Sequence, residues 1–242
     1  MGEAVSMIGY ERNADRVLGT YFAPVLKNEN RFQWPITLLQ FAADPALTTR
    51  STSWHMFSLF AHHPITHTLP VDSPAGYGPV YYGAGRDEER GDALVWKGAV
   101  YNSTDEADVP ISVAFEGVAA GTRAQLTLLT NPSGNPRAYN DPFTGINIVA
   151  NSTTIIEANG DGVFEFSMPN LSVGVLDTDV AAAGAGGAGA HGKGGKGGKG
   201  GKGGKGGKGG KGGKGGKGGK WSSGQHHGYG RPGKPPGYRP VN

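Results

Sequence analysis

Four histidines, His55, His62, His63 and His67, crowd into one stretch of the chain. Imidazole is the side chain best suited to hold a metal or move a proton near neutral pH. Spacings of seven, eight and twelve from His55 bring some of them to one helix end, yet no carboxylates flank them at ligand spacing. They read as surface or helix C-terminal histidines, where a positive charge complements the helix dipole, and no metal site is assigned. Carboxylates are the second possibility. Retaining glycoside hydrolysis needs two carboxyl groups roughly 5–5.5 Å apart. Glu116 and Glu165 sit on alternating stretches that direct both toward water, so their reading is solubility. Gly83-Ala84-Gly85 lacks the third glycine and the following helix of a phosphate cradle. With no cysteine, disulfides, Cys-bound zinc and a thiol nucleophile are excluded. The chain's own patterns name no catalytic residue, metal or cofactor.

Charge divides the 242 residues into two unlike parts. Residues 1–179 hold all twenty acidic residues against ten basic ones, a net charge of −10. Residues 180–242 hold thirteen basic residues and no acid. Residues 194–220 are nine Gly-Gly-Lys triplets. Glycine at every third position suggests collagen, but the triplets have no proline to preset the polyproline conformation. Such a composition predicts a disordered tail over 180–242. Its evenly spaced lysines suit non-specific binding of polyanions by counterion release. No run reaches the ~18 apolar residues of a membrane helix, and the first residues lack the pattern of a secretory leader. Three sequons mark glycosylation candidates at Asn102, Asn151 and Asn170.

The elements that must position any site fall into two groups. Residues 2–18 predict a helix with Ala4, Val5 and Ile8 inward and Val17 and Leu18 continuing the face. Ile36 to Phe41 reads as a strand buried on both faces, and Ser51 to His62 as a second helix. A helix, a buried strand and a helix are a piece of an α/β layer, too little to close a sheet. From Leu69 onward seven short strands alternate with turns: 80–83, 94–101, 111–118, 124–130, 146–156, 163–168 and 172–176. Ile111, Val113 and Phe115 alternate with Ser112, Ala114 and Glu116, as in a sheet wet on one face. That grammar predicts an antiparallel β-sandwich.

Read in order, several stretches carry a family resemblance. They include Gly9-Tyr10-Glu11-Arg12-Asn13-Ala14-Asp15, Ala23-Pro24-Val25-Leu26 and Gly78-Pro79-Val80-Tyr81-Tyr82-Gly83. Further along come Lys97-Gly98-Ala99-Val100-Tyr101-Asn102, Ala138-Tyr139-Asn140-Asp141-Pro142-Phe143 and Leu171-Ser172-Val173-Gly174-Val175-Leu176-Asp177. Residues 3–179 thereby resemble the C-terminal part of the fungal and plant-type α-L-arabinofuranosidases of glycoside hydrolase family 51. The resemblance implies a (β/α)8 barrel joined to a jelly-roll β-sandwich, and retaining removal of terminal arabinofuranosyl groups from arabinan and arabinoxylan. It implies a mainly β chain with a barrel remnant at 1–67 and the sandwich at 68–179, followed by the disordered tail that composition predicts at 180–242. Both catalytic glutamates are expected upstream of Met1, since Glu3 and Glu11 match helix positions, so this chain alone is expected to be inactive. The implied partner is arabinose-containing polysaccharide and the implied location extracellular, with no cofactor.

Departures from the family pattern fall at Trp34-Pro35-Ile36-Thr37, where an acidic position is missing, and at Trp54-His55, where paired aromatics are usual. Trp34 is the one substrate-binding candidate. The tail has no counterpart in the family. An alternative is a non-catalytic carbohydrate-associated sandwich whose basic tail holds acidic polymers. It would need an exposed aromatic platform, for which Trp96 and Tyr101 are candidates, although both suit a core or an interface. A third reading has the half-barrel failing to bury its apolar faces and pairing with another polypeptide.

Overall fold

The computed structural model describes residues 1–180 apart from 31–33, 35, 75, 102 and 104–107. The tail expectation therefore lies outside the described residues. The described residues belong to one compact unit.

Helix α1 spans Gly2–Arg12, with Glu3 in its first turn and Arg12 in its last, the charge order the helix dipole favours. Ala4 and Ile8, one turn apart, form its buried face. The helix is shorter than the expected 2–18. At its end Asn13 Nδ2 donates to the Gly9 carbonyl (2.7 Å), and the chain leaves the sheet, so Leu18 is wholly exposed rather than on the helical face. Strands β1 (Leu26–Asn28) and β2 (Leu39–Phe41) pair in parallel, and β3 (Thr49–Arg50) pairs antiparallel with β2. This corrects the doubly buried strand expected at 36–41: only three residues are in a strand, and Ile36 and Phe41 remain open to solvent because nothing among the described residues covers them. Helix α2 (Thr52–His62) starts as its sequence suggests. Ser51 Oγ accepts from Trp54 N (3.2 Å), and Met56, Leu59 and Phe60 are buried.

Eight further strands build the sandwich. In chain order they are β4 (His67–Leu69), β5 (Val80–Asp87), β6 (Ala93–Val100), β7 (Val109–Ala114), β8 (Arg123–Thr130), β9 (Ala150–Glu157), β10 (Val163–Met168) and β11 (Ser172–Asp177). Six of them form an antiparallel sheet in the order β4-β5-β6-β11-β8-β9, and β10 pairs with β7 in a second sheet. Every strand predicted from alternation is present, within a few residues. Three differ by four residues at one end: β5 runs on to Asp87, β7 stops at Ala114, and β9 begins only at Ala150. The preceding loop is pinned instead by Asn140, whose Nδ2 donates to the Arg50 carbonyl (2.8 Å) while its Oδ1 accepts from Ile148 N (2.9 Å).

The sheet buries its two faces against different partners. Trp96, Val100, Leu126 and Leu176 face the β7–β10 sheet with Ile111, Val113, Phe164 and Met168. Val95, Ala99, Val173 and Val175 face α1 and α2 with Ala4, Ile8, Met56 and Phe60. This explains why β6 and β11 read as almost continuous apolar runs, while β7 and β10, covered on one face, alternate. The indole of Trp96 lies across Gly98, where any Cβ would clash with the ring, so glycine is what lets the largest core side chain lie over its own strand.

Candidate functional site

Two polar features lie where the helices meet the sandwich. The first is a buried charge network on the helix-facing side of β6 and β11. Lys97, with no solvent exposure, donates through Nζ to Glu11 Oε1 on α1 (2.6 Å) and to the Phe60 carbonyl on α2 (3.3 Å). Its ammonium also stands 4.9 Å from the centre of the Phe60 ring. Asp177, likewise fully buried, lies 2.6 Å from His63 Nδ1 and 2.8 Å from Arg90 Nη1. Arg90 in turn donates through Nε to Asp87 (2.5 Å). Burial pushes the Lys97 pKa below its ordinary value, with Glu11 opposing the shift. Burial works to raise Asp177, but hydrogen bonds from His63 and Arg90 outweigh it and hold the carboxyl below the usual range. The network joins α1, the end of α2 and the sheet. Its Glu11 also borders a cavity of about 290 Å3 with Arg12, Thr68 and Gly83, and the network's role is positional.

The second feature is a groove of about 400 Å3 at the N-terminal ends of both helices. Glu3 and the Ser51–Ser53 turn form one side, Thr37 and Gln40 a second, and Tyr139 and Asn140 of the β8–β9 loop a third. Ser53 Oγ donates to Glu3 Oε2, tying the two helix starts together. Thr37 Oγ1 donates to the Val25 carbonyl (2.9 Å), which fixes the wall leading into β2. Gln40 and Tyr139 have no side-chain hydrogen bond among the described residues, and Tyr139 is 64% exposed.

The histidines diverge. His63 joins Asp177, His62 Nδ1 lies 2.6 Å from the Ser58 carbonyl, His67 Nδ1 lies 3.4 Å from Glu88, and His55 packs edge-on to Trp54. Burial lowers the His55 pKa, assisted by Arg50. Among the described residues no three His, Asp or Glu side chains form a metal-holding group. Glu116 and Glu165 are exposed, as their alternation required. Trp34 is 58% exposed and stands two residues before Ile36, which lines the groove, without lining it itself. Of the aromatic candidates, Trp96 is core and edge-on to Phe166, whereas Tyr101 is 42% exposed. Asn102 lies outside the described residues. Asn151 is exposed on the edge strand β9, and Asn170 is half-buried with Oδ1 accepting from Ser103 N (3.2 Å). Sequence reasoning passed over Lys97 and Asp177. The signal was available: a lysine inside Val95-Trp96-Lys97-Gly98-Ala99 must either leave the sheet or find a buried partner. No helix among the described residues is long and apolar enough to cross a membrane.

Residues 1–172 match the α-L-arabinofuranosidase C-terminal domain family. Probable α-L-arabinofuranosidase A of Aspergillus terreus and α-L-arabinofuranosidase A of Aspergillus niger are each 32% identical over 176 residues. Each alignment covers 73% of this chain and 26% of the relative, so the chain spans about a quarter of the length of the curated relatives it matches. An arabinose-bound α-L-arabinofuranosidase of glycoside hydrolase family 51 superposes with a TM-score of 0.61 at 26% identity, over 73% of this chain and 26% of that one. The Thermotoga maritima α-L-arabinofuranosidase in its arabinose complex shares the fold with a TM-score of 0.55 at 16% identity, over 72% of this chain and 36% of that one. This chain belongs to the α-L-arabinofuranosidase C-terminal domain family of glycoside hydrolase family 51.

Proposed function

We propose that the chain serves arabinofuranoside hydrolysis as the C-terminal portion of a retaining α-L-arabinofuranosidase acting on arabinan and arabinoxylan. Residues 1–67 are the end of its (β/α)8 barrel and 68–179 its jelly-roll sandwich. The observation that carries this reading is a contrast between two sides of the N-terminal segment. On one side α1 is seated on the sandwich by the buried Glu11–Lys97 ion pair, and the end of α2 by the contact of His63 with Asp177. On the other, Tyr21, Val25, Leu26, Ile36 and Phe41 present apolar surface to water, as the unpartnered part of a barrel would. The acid and nucleophile come from a barrel outside this sequence, so the isolated 242-residue chain should release no arabinose from p-nitrophenyl α-L-arabinofuranoside. Release at ordinary enzymatic rates would overturn the proposal.

The same reading puts the protein outside the cell, with Asn151 the exposed glycosylation acceptor among the described residues. Deglycosylation of protein secreted from a eukaryotic host should then lower its mass, and substitution of Asn151 by Gln should reduce that shift. The lysine tail adds a capacity for acidic polymers by charge alone. Retention on heparin should weaken steeply with salt, and salt-insensitive retention would exclude a tail-driven contact.

A further inference from the structure

We propose that the free edge of β9 is a self-association surface, taking up β9 of a second copy of this chain antiparallel across a two-fold axis, and that a glycan on Asn151 closes it. The second half rests on the glycosylation reading above, and the first does not. Strand β9 ends the six-stranded sheet and pairs with β8 alone, in eight unbroken register pairs. Its other side carries a row of backbone donors and acceptors that bond nothing else among the described residues. Such a row is a template for another strand unless a charge, a proline, a bulge or a covering element blunts it. Ala150 to Ile156 holds no charged residue and no proline, the ladder has no bulge, and Ala150 to Thr154 are exposed. Thr153, Thr154, Ile155 and Ile156 are β-branched, types that suit an extended pairing. The barrel remnant sits elsewhere on the sheet, with α1 against β5 and β6 and α2 against β11.

Self-pairing also fits residue by residue. Opposite side chains of an antiparallel pair share a face, so the axis passes through a residue rather than between two. With the axis through Thr153, Asn151 lies opposite Ile155 and Ser152 opposite Thr154 across the junction, all of them neutral. Glu157, the one charge of the strand, falls opposite Val149 and does not meet its own copy. With the axis through Thr154 it faces Asn151, again without a like charge. The contact is isologous and closes at two copies. Asn151 stands opposite Leu129, which belongs to the helix-facing side of the sheet, so both Asn151 side chains of such a pair emerge on that one face beside the junction. A glycan there is bulky and hydrated, and two of them flanking one junction oppose the approach of the second strand. The sequon supplies the guard that the strand's own residues lack.

The test weighs the 242-residue chain by light scattering across a dilution series in high salt, which screens the charges of body and tail. Protein made in bacteria, without glycan, should weigh twice the monomer mass. Thr153→Lys combined with Thr154→Lys sets like charges opposite each other in either register and should give a monomer. Ile36→Ser combined with Phe41→Ser, on the exposed surface of the barrel remnant, should leave the dimer intact. Dimer formation should also slow hydrogen exchange at backbone amides of 150–157, a reading that needs no substitution. Secreted protein glycosylated on Asn151 should be a monomer, and secreted Asn151→Gln a dimer. A monomeric bacterial protein, a dimer indifferent to the lysines, or a dimer lost with Ile36→Ser and Phe41→Ser would overturn the edge pairing. Glycosylated protein that still dimerises would overturn the guard. Secreted protein without glycan on Asn151 would overturn the glycosylation reading, and the guard with it, while leaving the edge pairing standing.

Discussion

Glu11→Ala should destabilise the protein by about 3 kcal/mol, the lower end of the cost of breaking a buried ion pair. The lower end applies because the Glu11 side chain is 26% exposed, so water screens part of the lost attraction. Lys97 would be left with the Phe60 carbonyl and ring as its remaining contacts, neither of which neutralises an ammonium. Urea unfolding at pH 7 reads the effect. A midpoint unchanged from the parent would show that the pair contributes nothing. The variant also carries a pH signature. A lysine whose folded pKa is lowered binds more protons unfolded than folded between that value and 10.5, so stability rises with pH across that window. Removing Glu11, which opposes the lowering, widens the window downward, and Glu11→Ala should regain stability on alkaline titration more than the parent does. Lys97→Met paired with Glu11→Leu should lose far less than Glu11→Ala, because a matched apolar pair leaves no charge stranded.

Asp177→Asn should cost about 3–5 kcal/mol at pH 7, since it removes the charge that faces both His63 and Arg90 in a buried setting. The sign of its acid dependence follows from the direction of the shift. A carboxyl held below its ordinary 3.8 contributes stability that is fully present above 3.8 and is lost as pH falls toward the lowered value. The parent should therefore weaken on acidification through that interval, and Asp177→Asn should show a flatter acid limb. Thermal unfolding measured between pH 6 and pH 2 distinguishes the two curves. Equal slopes would mean that other carboxylates govern acid unfolding.

The sandwich was legible because alternation is a local signal. Ile111, Val113 and Phe115, and again Phe164, Phe166 and Met168, declare their buried face residue by residue, and the strands lie where they indicate. The N-terminal segment was less legible. Ile36 to Phe41 has the composition of a buried strand, but burial depends on what covers it, and in this chain Ile36 and Phe41 face solvent. Val17 and Leu18 similarly continue the helical pattern of Ala4 and Ile8, yet Asn13 ends the helix first. The groove was the least visible in the sequence. Glu3, Gln40, Ser53 and Tyr139 are far apart along the chain, and what brings them together is the docking of two helices and one loop, which no spacing rule records. Family resemblance reached the identity of the domain and included Ala138-Tyr139-Asn140, but not the contact that this stretch makes.

The position of β11 has a mechanical consequence. It is the last element before the lysine-rich tail, and it runs between β6 and β8 with all six residues buried. Beyond it, Thr178 clasps Leu94 from both sides, N to O at 3.0 Å and N to Oγ1 at 2.8 Å. A pull on the tail is thus delivered to an interior strand, along its length, against two antiparallel ladders loaded in shear. An edge strand such as β9 would peel away one hydrogen bond at a time, whereas β11 must break both ladders together. If the tail adheres to a wall or a matrix, the sandwich is anchored to it by the strand best able to bear the load.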